Sequence, residues 1–265
     1  MARTDVSVLN RSTLIQDSEI QAVMEALQSQ VTNDFAPVWG VDVQLSFVPQ
    51  GEAPKPNTWW LVILDTSDQA GALGYHDLTQ DGLPLGKVFA QSDLDAGTSW
   101  TVTASHELLE MLVDPDINLT VFVQPSATAG TLYAYEVCDA CEADGYGYTI
   151  GKTLVSDFVY PAWFESFRTP NSVKFDRQGK ISQPFQLLPG GYIGVFDVSY
   201  STGWHQLTPQ GEEHAYNARP RIGSRRERRR TPKGEWILSA PRPMALAMAR
   251  VGREHSESKP GESKG

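Results

Sequence analysis

The 265-residue chain has few cysteines, no long apolar run and few positive charges in its main body. Its two cysteines are too few to cross-link a domain of this length, and they leave the redox compartment undecided. No run of about eighteen apolar residues is present, and the first residues lack the charged-then-apolar order of a secretory signal. We therefore expect no membrane span and no signal peptide, and a location in the cytoplasm.

Charge is divided unevenly along the chain. Residues 217–265 contain 13 Lys and Arg against 5 Asp and Glu, whereas residues 1–216 contain 9 against 27. Because an acidic body repels phosphates, the composition argues against nucleic-acid binding over most of the chain and favours cation binding. The arginine run at 225–230 is typical of a solvated tail, with an anionic partner as the alternative.

Hydrophobic patterning predicts an α/β domain over residues 1–211 and a basic, mostly disordered tail over 212–265. Apolar residues recur at helical spacing in 18–33, before a turn at 34–40, and again in 99–113. Shorter patterns predict strands, in chain order at 42–48, 59–64, 71–77, 82–90, 119–124 and 131–137. Pro84 favours an edge position for its strand.

Residues 145–200 are rich in Gly, Tyr, Phe and Pro, a composition that fits loops and short strands more than helices. Within them, the aromatic cluster Phe158–Phe164 can form a binding wall, but such runs more often belong to a core. Pro161 indicates that the cluster crosses a sheet without joining it.

The most specific feature is the string Ser105-His-Glu-Leu-Leu-Glu110 in the second predicted helix. Residues four apart on a helix differ by about 40° of rotation, so His106 and Glu110 project side by side and can bind one ion. This is the geometry of the His-Glu-x-x-His helix of zinc peptidases, in which a glutamate acts as general base on metal-bound water. Glu107 occupies the position of that base.

Glu110 stands where those peptidases have their second histidine. Carboxylate oxygen binds zinc at about 2.0–2.2 Å, so a metal site remains chemically allowed. The extra negative charge weakens Lewis acidity and favours a harder ion such as manganese or calcium. The alternative interpretation is an ordinary helix with glutamates on its polar side.

A third ligand is required, because two side chains form a weak site. Glu136 and Asp139 are candidates, since both can converge on His106 and Glu110 if the preceding strand ends there. Asp114 precedes Pro115 and is more readily explained as a helix stop than as a ligand.

Cys138 and Cys141 form a C-x-x-C motif whose chemistry the sequence leaves open. In isolation this motif can be half of a zinc knuckle, a redox pair or a disulfide. No second C-x-x-C is present, which excludes a four-cysteine zinc site within one chain. A thioredoxin-like role lacks the flanking βαβ pattern.

The motif SHELLEMLVDP is preceded by DFAPVWG and GYHDLTQDGLPLGKVFA and followed by YEVCDACE and VSDFVYPAWF. As a set, these strings resemble a poorly characterised family of bacterial and phage proteins with a zincin-like helix, over about residues 10–200. The resemblance implies a zincin-like fold with a mixed twisted sheet, a backing helix and an active-site helix. It also implies His106 and Glu110 as metal ligands, Glu107 as base, and a carboxylate from Glu136 or Asp139 completing the site.

In zincins the edge strand beside the active-site helix pairs with the substrate, and residues 71–77 hold the corresponding place. Tyr75 can then serve as an oxyanion donor, or it is a half-buried strand aromatic. His76 can donate to a substrate carbonyl, or it caps a turn beside Asp77.

Two classes of function are consistent with these residues. The first is a metal-dependent hydrolase, most simply a zinc peptidase acting on a peptide or protein, with Glu107 as general base. The second is a catalytically inactive binding or structural protein, associated with a phage particle, that retains the zincin-like helix as a metal-binding staple. The chain departs from standard zincins in its missing second histidine, and from metzincins in lacking the Gly-x-x-His extension and a Met turn.

Overall fold

A computed structural model describes residues 3–69, 72–199, 203–210 and 214–215. These residues form a mixed α/β fold, as predicted, with two five-stranded sheets and one two-stranded sheet. The helices and strands are, in chain order, β1 (Thr4–Asn10), α1 (Asp17–Ser29), α2 (Ala36–Trp39), β2 (Val43–Val48), β3 (Trp59–Leu64), β4 (Gly74–Leu78), β5 (Pro84–Phe89), α3 (Ala90–Ala96), α4 (Trp100–Val113), β6 (Thr120–Ser126), β7 (Ala129–Ala134), β8 (Tyr148–Ile150), β9 (Thr153–Val155), β10 (Ile193–Asp197), β11 (Trp204–Leu207) and β12 (His214–Ala215).

The first sheet has the strand order β2-β1-β3-β5-β4. β1 pairs in parallel with β2 and β3, and β3 pairs in parallel with β5. β4 runs antiparallel to β5 and ends the sheet. The sheet is therefore mixed, as predicted, with one antiparallel outer strand.

Two features of this sheet differ from the sequence prediction. β1 was not predicted, although Val6 and Val8 alternate with polar residues and are buried in the core. Pro84 does not lie on an edge strand, because β5 runs between β3 and β4. It is the first residue of β5, a position where the missing N–H of proline is tolerated.

The first predicted helix is present and continues further than the sequence indicates. α1 begins where the Glu19 carboxylate accepts the Gln16 N–H at 2.9 Å, one half of a capping box. Beyond α1 the chain makes a π-helical turn at Gln30–Phe35 and passes into α2, which ends at Trp39 and is followed by Gly40 with φ 69°. The predicted turn at 34–40 is therefore helical up to Trp39.

The π-helical turn has a packing cause. Gln30 and Phe35, at its two ends, are both fully buried. The Gln30 side chain donates to the Ser156 carbonyl at 2.9 Å and accepts from the Ser105 hydroxyl at 2.7 Å. The turn thus connects the end of α1 to α4 and to the second half of the chain.

The second half is built mainly from short strands and loops, as predicted. Its antiparallel sheet has the order β12-β11-β10-β7-β6, and β8 and β9 form a separate pair. The aromatic cluster Phe158–Phe164 belongs to the core, with Phe158 and Trp163 fully buried. A short 3-10 helix begins at Pro161.

α4 is the most enclosed helix of the described fold. It contacts β3, β4 and β5 of the first sheet and β9 of the second half, and every residue from Thr101 to Leu112 is buried. The helix ends at Val113, where the Asp114 carboxylate accepts the backbone N–H groups of Asn118 and Leu119. The polar side of α4 therefore faces the interior of the protein.

Little of the predicted tail is described. Residues 214–215 form β12, which pairs with β11. The rest of the tail, including its expected disorder, the arginine run and its anionic partner, lies outside the described residues, as does Gly71 at the start of a predicted strand. Among the described helices, none combines the length and apolar character that crossing a bilayer requires.

Candidate metal centre

α4 approaches the first sheet closely at two glycines. A Cβ added to Gly74 would lie 2.7 Å from Glu107 Oε1, and one added to Gly86 would lie 3.5 Å from Glu107 Cβ. Because neither strand carries a side chain at these points, Glu107 lies directly against β4 and β5. The glycines thereby fix the position of the predicted base.

His106, Glu110 and Asp139 form a first group, called here the outer ligand set. His106 Nε2 lies 3.3 Å from Glu110 Oε2 and 3.2 Å from Asp139 Oδ1. Asp139 begins a 3-10 turn that follows β7, so the strand does end where convergence requires. Ligand atoms placed tetrahedrally around zinc at about 2.0–2.1 Å are about 3.3–3.4 Å apart, so the spacing fits one shared ion.

His76, Glu110 and Glu136 form a second group, called here the inner ligand set. His76 Nδ1 lies 3.7 Å from Oε2 of both Glu107 and Glu110, and His76 Nε2 lies 3.6 Å from Glu136 Oε2. In each ligand set, one donor atom from every residue lies within 4.8 Å of the others. Both sets could therefore hold a cation, and they share Glu110.

The two sets differ in their access to solvent. The outer ligand set and Glu107 line a cleft of about 580 Å³, whose walls include residues 72–75 of the β4 region and residues 142–144 opposite. His76 is fully buried, and Glu136 is 3% exposed. Glu110 therefore lines the cleft, whereas His76 and Glu136 of the inner ligand set are not among the residues that line it.

Burial and mutual contact shift the pKa values of the outer ligand set. Burial lowers the pKa of His106, but Glu110 and Asp139 outweigh this effect and raise it well above its ordinary value. Burial likewise opposes ionisation of Glu110, yet the neighbouring histidines lower its pKa to about 2. Burial and the charge of Glu110 raise the pKa of Asp139 to about 6.

The charges of the cluster do not balance within it. Four carboxylates, Glu107, Glu110, Glu136 and Asp139, meet two imidazoles, and all six side chains are buried. Even with both imidazoles protonated, ionised carboxylates leave an excess of negative charge. Such an excess is costly in an interior unless protons or a cation compensate it.

Tyr75 lies on the other face of β4 from His76, because side chains alternate along a strand. Its hydroxyl contacts Asp68 Oδ1 at 2.7 Å and Lys87 Nζ at 2.6 Å. Lys87 is its cross-strand partner on β5, whereas His76 pairs with Gly86 on the face that α4 covers. The structure thus brings His76 to the ligand sets and directs the Tyr75 hydroxyl to Asp68 and Lys87.

The two cysteines are buried free thiols and form no disulfide. Burial raises the pKa of both well above the ordinary value, so both are held as thiols and not as reactive thiolates. The Cys138 backbone contributes directly to the site, since its N–H donates to Glu110 Oε1 at 3.1 Å. Among the described residues, neither thiol belongs to a candidate metal group.

The sequence did not indicate the partnership of His76 with Glu136. It assigned Glu136 and Asp139 to the same ion as His106, but Glu136 faces His76 instead. It also gave no role to Glu142, whose pKa burial raises to about 8 in the wall of the cleft. The position of Glu142 three residues after Asp139 is the sequence signal that could have placed Glu142 near the site.

No family model, curated protein or solved structure matches the chain. The resemblance to zincin-like proteins stays a prediction, and function has to be inferred from the geometry of the site. That geometry combines a mixed imidazole and carboxylate donor set, an adjacent glutamate and an open cleft. Together these features suit hydrolysis assisted by a metal ion.

Proposed function

We propose that the chain is a metal-dependent hydrolase of zincin-like architecture, most simply a zinc peptidase. The observation that carries this proposal is the outer ligand set, in which His106 Nε2 lies 3.3 Å from Glu110 Oε2 and 3.2 Å from Asp139 Oδ1 in the lining of the cleft. An imidazole and two carboxylates are donors that zinc accepts, and three protein ligands leave a fourth position for water or substrate. A bound ion would supply Lewis acidity, lowering the pKa of a water molecule and polarising a carbonyl.

Glu107 is the general base of this proposal. It lines the cleft beside the outer ligand set, and Gly74 and Gly86 hold its side chain against the sheet. A buried carboxylate in this place can accept a proton from water and return it to a leaving amine. His76 Nδ1 lies 3.7 Å from Glu107 Oε2 and helps to position the Glu107 carboxylate.

The substrate class follows from the walls of the cleft. Residues 72–75 lead into β4, the outer strand of the first sheet, where an extended peptide can add as a further strand. Asp144 lines the cleft as well, which favours peptides with positive charge. A peptide or protein substrate fits both features.

The test is Glu107→Gln, assayed on a mixed peptide library with zinc-loaded protein. We expect hydrolysis to fall by about 100- to 10,000-fold, the usual contribution of a general base, while zinc content by elemental analysis stays at the parental value. Glu142→Gln is the matched control, since it makes the same change in the cleft wall outside both ligand sets. A Glu107→Gln protein that cleaves at the parental rate would show that the mechanism is wrong.

One observation favours the second class of function, a binding or structural protein. Glu110 adds a negative charge where zinc peptidases carry a neutral imidazole, which weakens the Lewis acid. If the parental protein retains metal, loses stability with chelator and cleaves nothing in the library, the site is a structural metal site and the hydrolase proposal is wrong.

A further inference from the structure

The inner ligand set brings together donors from three separate parts of the chain. His76 lies on β4, Glu110 on α4 and Glu136 shortly after β7, and each is no more than 3% exposed. An imidazole and two carboxylates suit divalent ions such as Mn²⁺ and Zn²⁺. Three chain segments therefore converge on a buried point with the chemistry of a metal site.

The three side chains are close enough together to share one ion. With a single ring nitrogen counted for His76, one donor atom from each residue lies within 4.8 Å of the others. His76 Nδ1 lies 3.7 Å from Glu110 Oε2, close to the distance of about 3.6 Å between donor atoms placed tetrahedrally around an ion at about 2.2 Å.

Charge gives an independent reason for a second cation. Imidazoles must be neutral to bind a metal, so the four carboxylates of the cluster set the charge of the loaded site. One divalent ion in the outer ligand set leaves a buried excess of two negative charges, and a second divalent ion cancels it. Uncompensated charge of that size is costly in an interior.

We propose that the inner ligand set binds a second divalent cation, bridged to the first by Glu110. Glu110 Oε2 lies 3.3 Å from His106 Nε2 and 3.7 Å from His76 Nδ1, between the two imidazoles. Its other oxygen, Oε1, is held by the Cys138 N–H. Two-metal centres of hydrolases place their ions about 3.5–4 Å apart, a separation that one carboxylate can span.

The proposal that Glu110 bridges two cations rests on the proposed function, because it needs a cation in the outer ligand set. Its test does not need catalysis. The full chain is stripped with chelator, reloaded with Mn²⁺ and passed through a desalting column. Elemental analysis then gives the number of ions per chain, and electron paramagnetic resonance detects spin coupling between neighbouring Mn²⁺ ions. We expect two ions per chain and a coupled spectrum.

Glu136→Gln is the main variant, because it keeps the size of the side chain and removes its charge. We expect it to bind one Mn²⁺ per chain and to lose the coupled spectrum, and His76→Asn to do the same. His205→Asn, which changes a histidine on β11 outside both sets, is the matched control and keeps two ions. Circular dichroism confirms that each variant is folded, and the spectrum of the parental protein tests the bridge without any variant.

The outcomes separate this proposal from the proposed function. One uncoupled ion per parental chain, unchanged by Glu136→Gln, overturns the second site and leaves the hydrolase proposal standing. Two ions that persist in both Glu136→Gln and His76→Asn place the second ion elsewhere and also overturn it. A parental protein that binds no ion removes both proposals.

Discussion

Two of the groups of buried acidic side chains in the described structure have different kinds of partner. Asp157 and Asp176 are both fully buried, like Glu110 in the ligand sets. Asp176 accepts the backbone N–H groups of Lys180 and Ile181 at 2.8 and 3.0 Å. Asp157 likewise accepts two backbone N–H groups, those of residues 158 and 178.

The carboxylates of the ligand sets lie against imidazoles, and Glu110 accepts one backbone N–H besides, that of Cys138. Glu110 lies within 3.7 Å of both His76 and His106, and Asp139 lies 3.2 Å from His106. A carboxylate that satisfies nearby backbone N–H groups fixes the path of a loop. Carboxylates grouped around imidazoles, which bind metal ions in their neutral form, make up a donor set for a cation. The type of partner, more than the extent of burial, separates a structural acid from a ligand.

The largest expected effect concerns Glu110, which both ligand sets share. Glu110→Gln should abolish the stabilisation by cation, which amounts to about 4 kcal/mol when the free ion is about 1,000-fold above its Kd. Urea unfolding with and without chelator measures this difference. If chelator lowers the stability of the variant as much as that of the parental protein, Glu110 is not a cation ligand and the distinction between the two groups of carboxylates is wrong.

Asp176→Ala tests the other group. The N–H groups of buried Ile181 and of Lys180 lose their acceptor, and at about 1–3 kcal/mol for each such group we expect the free energy of unfolding to fall by about 3 kcal/mol. The response to chelator should equal that of the parental protein. Asp81→Ala, at an exposed aspartate, is the control and should change stability by less than about 0.5 kcal/mol. A cation response altered by Asp176→Ala would contradict the separation of the two groups.

Gly74→Ala disturbs the metal centre without changing any ligand. The new Cβ would meet Glu107 Oε1 and the Lys87 carbonyl at 2.7 Å, and such overpacking costs about 2 kcal/mol. Displacement of Glu107 should reduce hydrolysis more than it reduces metal content. Gly145→Ala, where the added Cβ has no neighbour within 4 Å among the described residues, should leave both unchanged. Equal behaviour of the two alanine variants would show that close approach at Gly74 is unimportant.

The smallest effect is a change of slope with pH. Burial and the neighbouring Asp176 raise the pKa of Asp157 from 3.8 to about 8. Between these values the folded protein keeps a proton that the unfolded chain has lost, so the contribution to stability is full below about pH 4 and is lost as the pH rises to about 8. Asp157→Asn removes this titration and should make the fall of stability with rising pH less steep. Unfolding midpoints in chelator across this range test it, and an unchanged slope would contradict the assignment.

Local patterns predicted the elements that local physics controls. Trp59–Leu64 is recognisable because a buried strand is a short continuous apolar run, and the structure gives the same bounds. The helix at 99–113 is recognisable from its periodicity and its Asp-Pro stop, and α4 spans Trp100–Val113. The π-helical turn at Gln30–Phe35 was missed because its side chains bond to partners far along the chain, whereas the local alternation of β1 was visible in the sequence and was overlooked.

The sequence by itself determined that His106 and Glu110 lie side by side, because residues four apart share one side of any α-helix. Only the tertiary structure decided that Asp139 completes the outer ligand set while Glu136 joins His76. Those contacts depend on which face of β4 meets α4 and on where the chain turns after β7. Strand register and a turn between distant segments are set by the packing of the whole core, which no local spacing specifies.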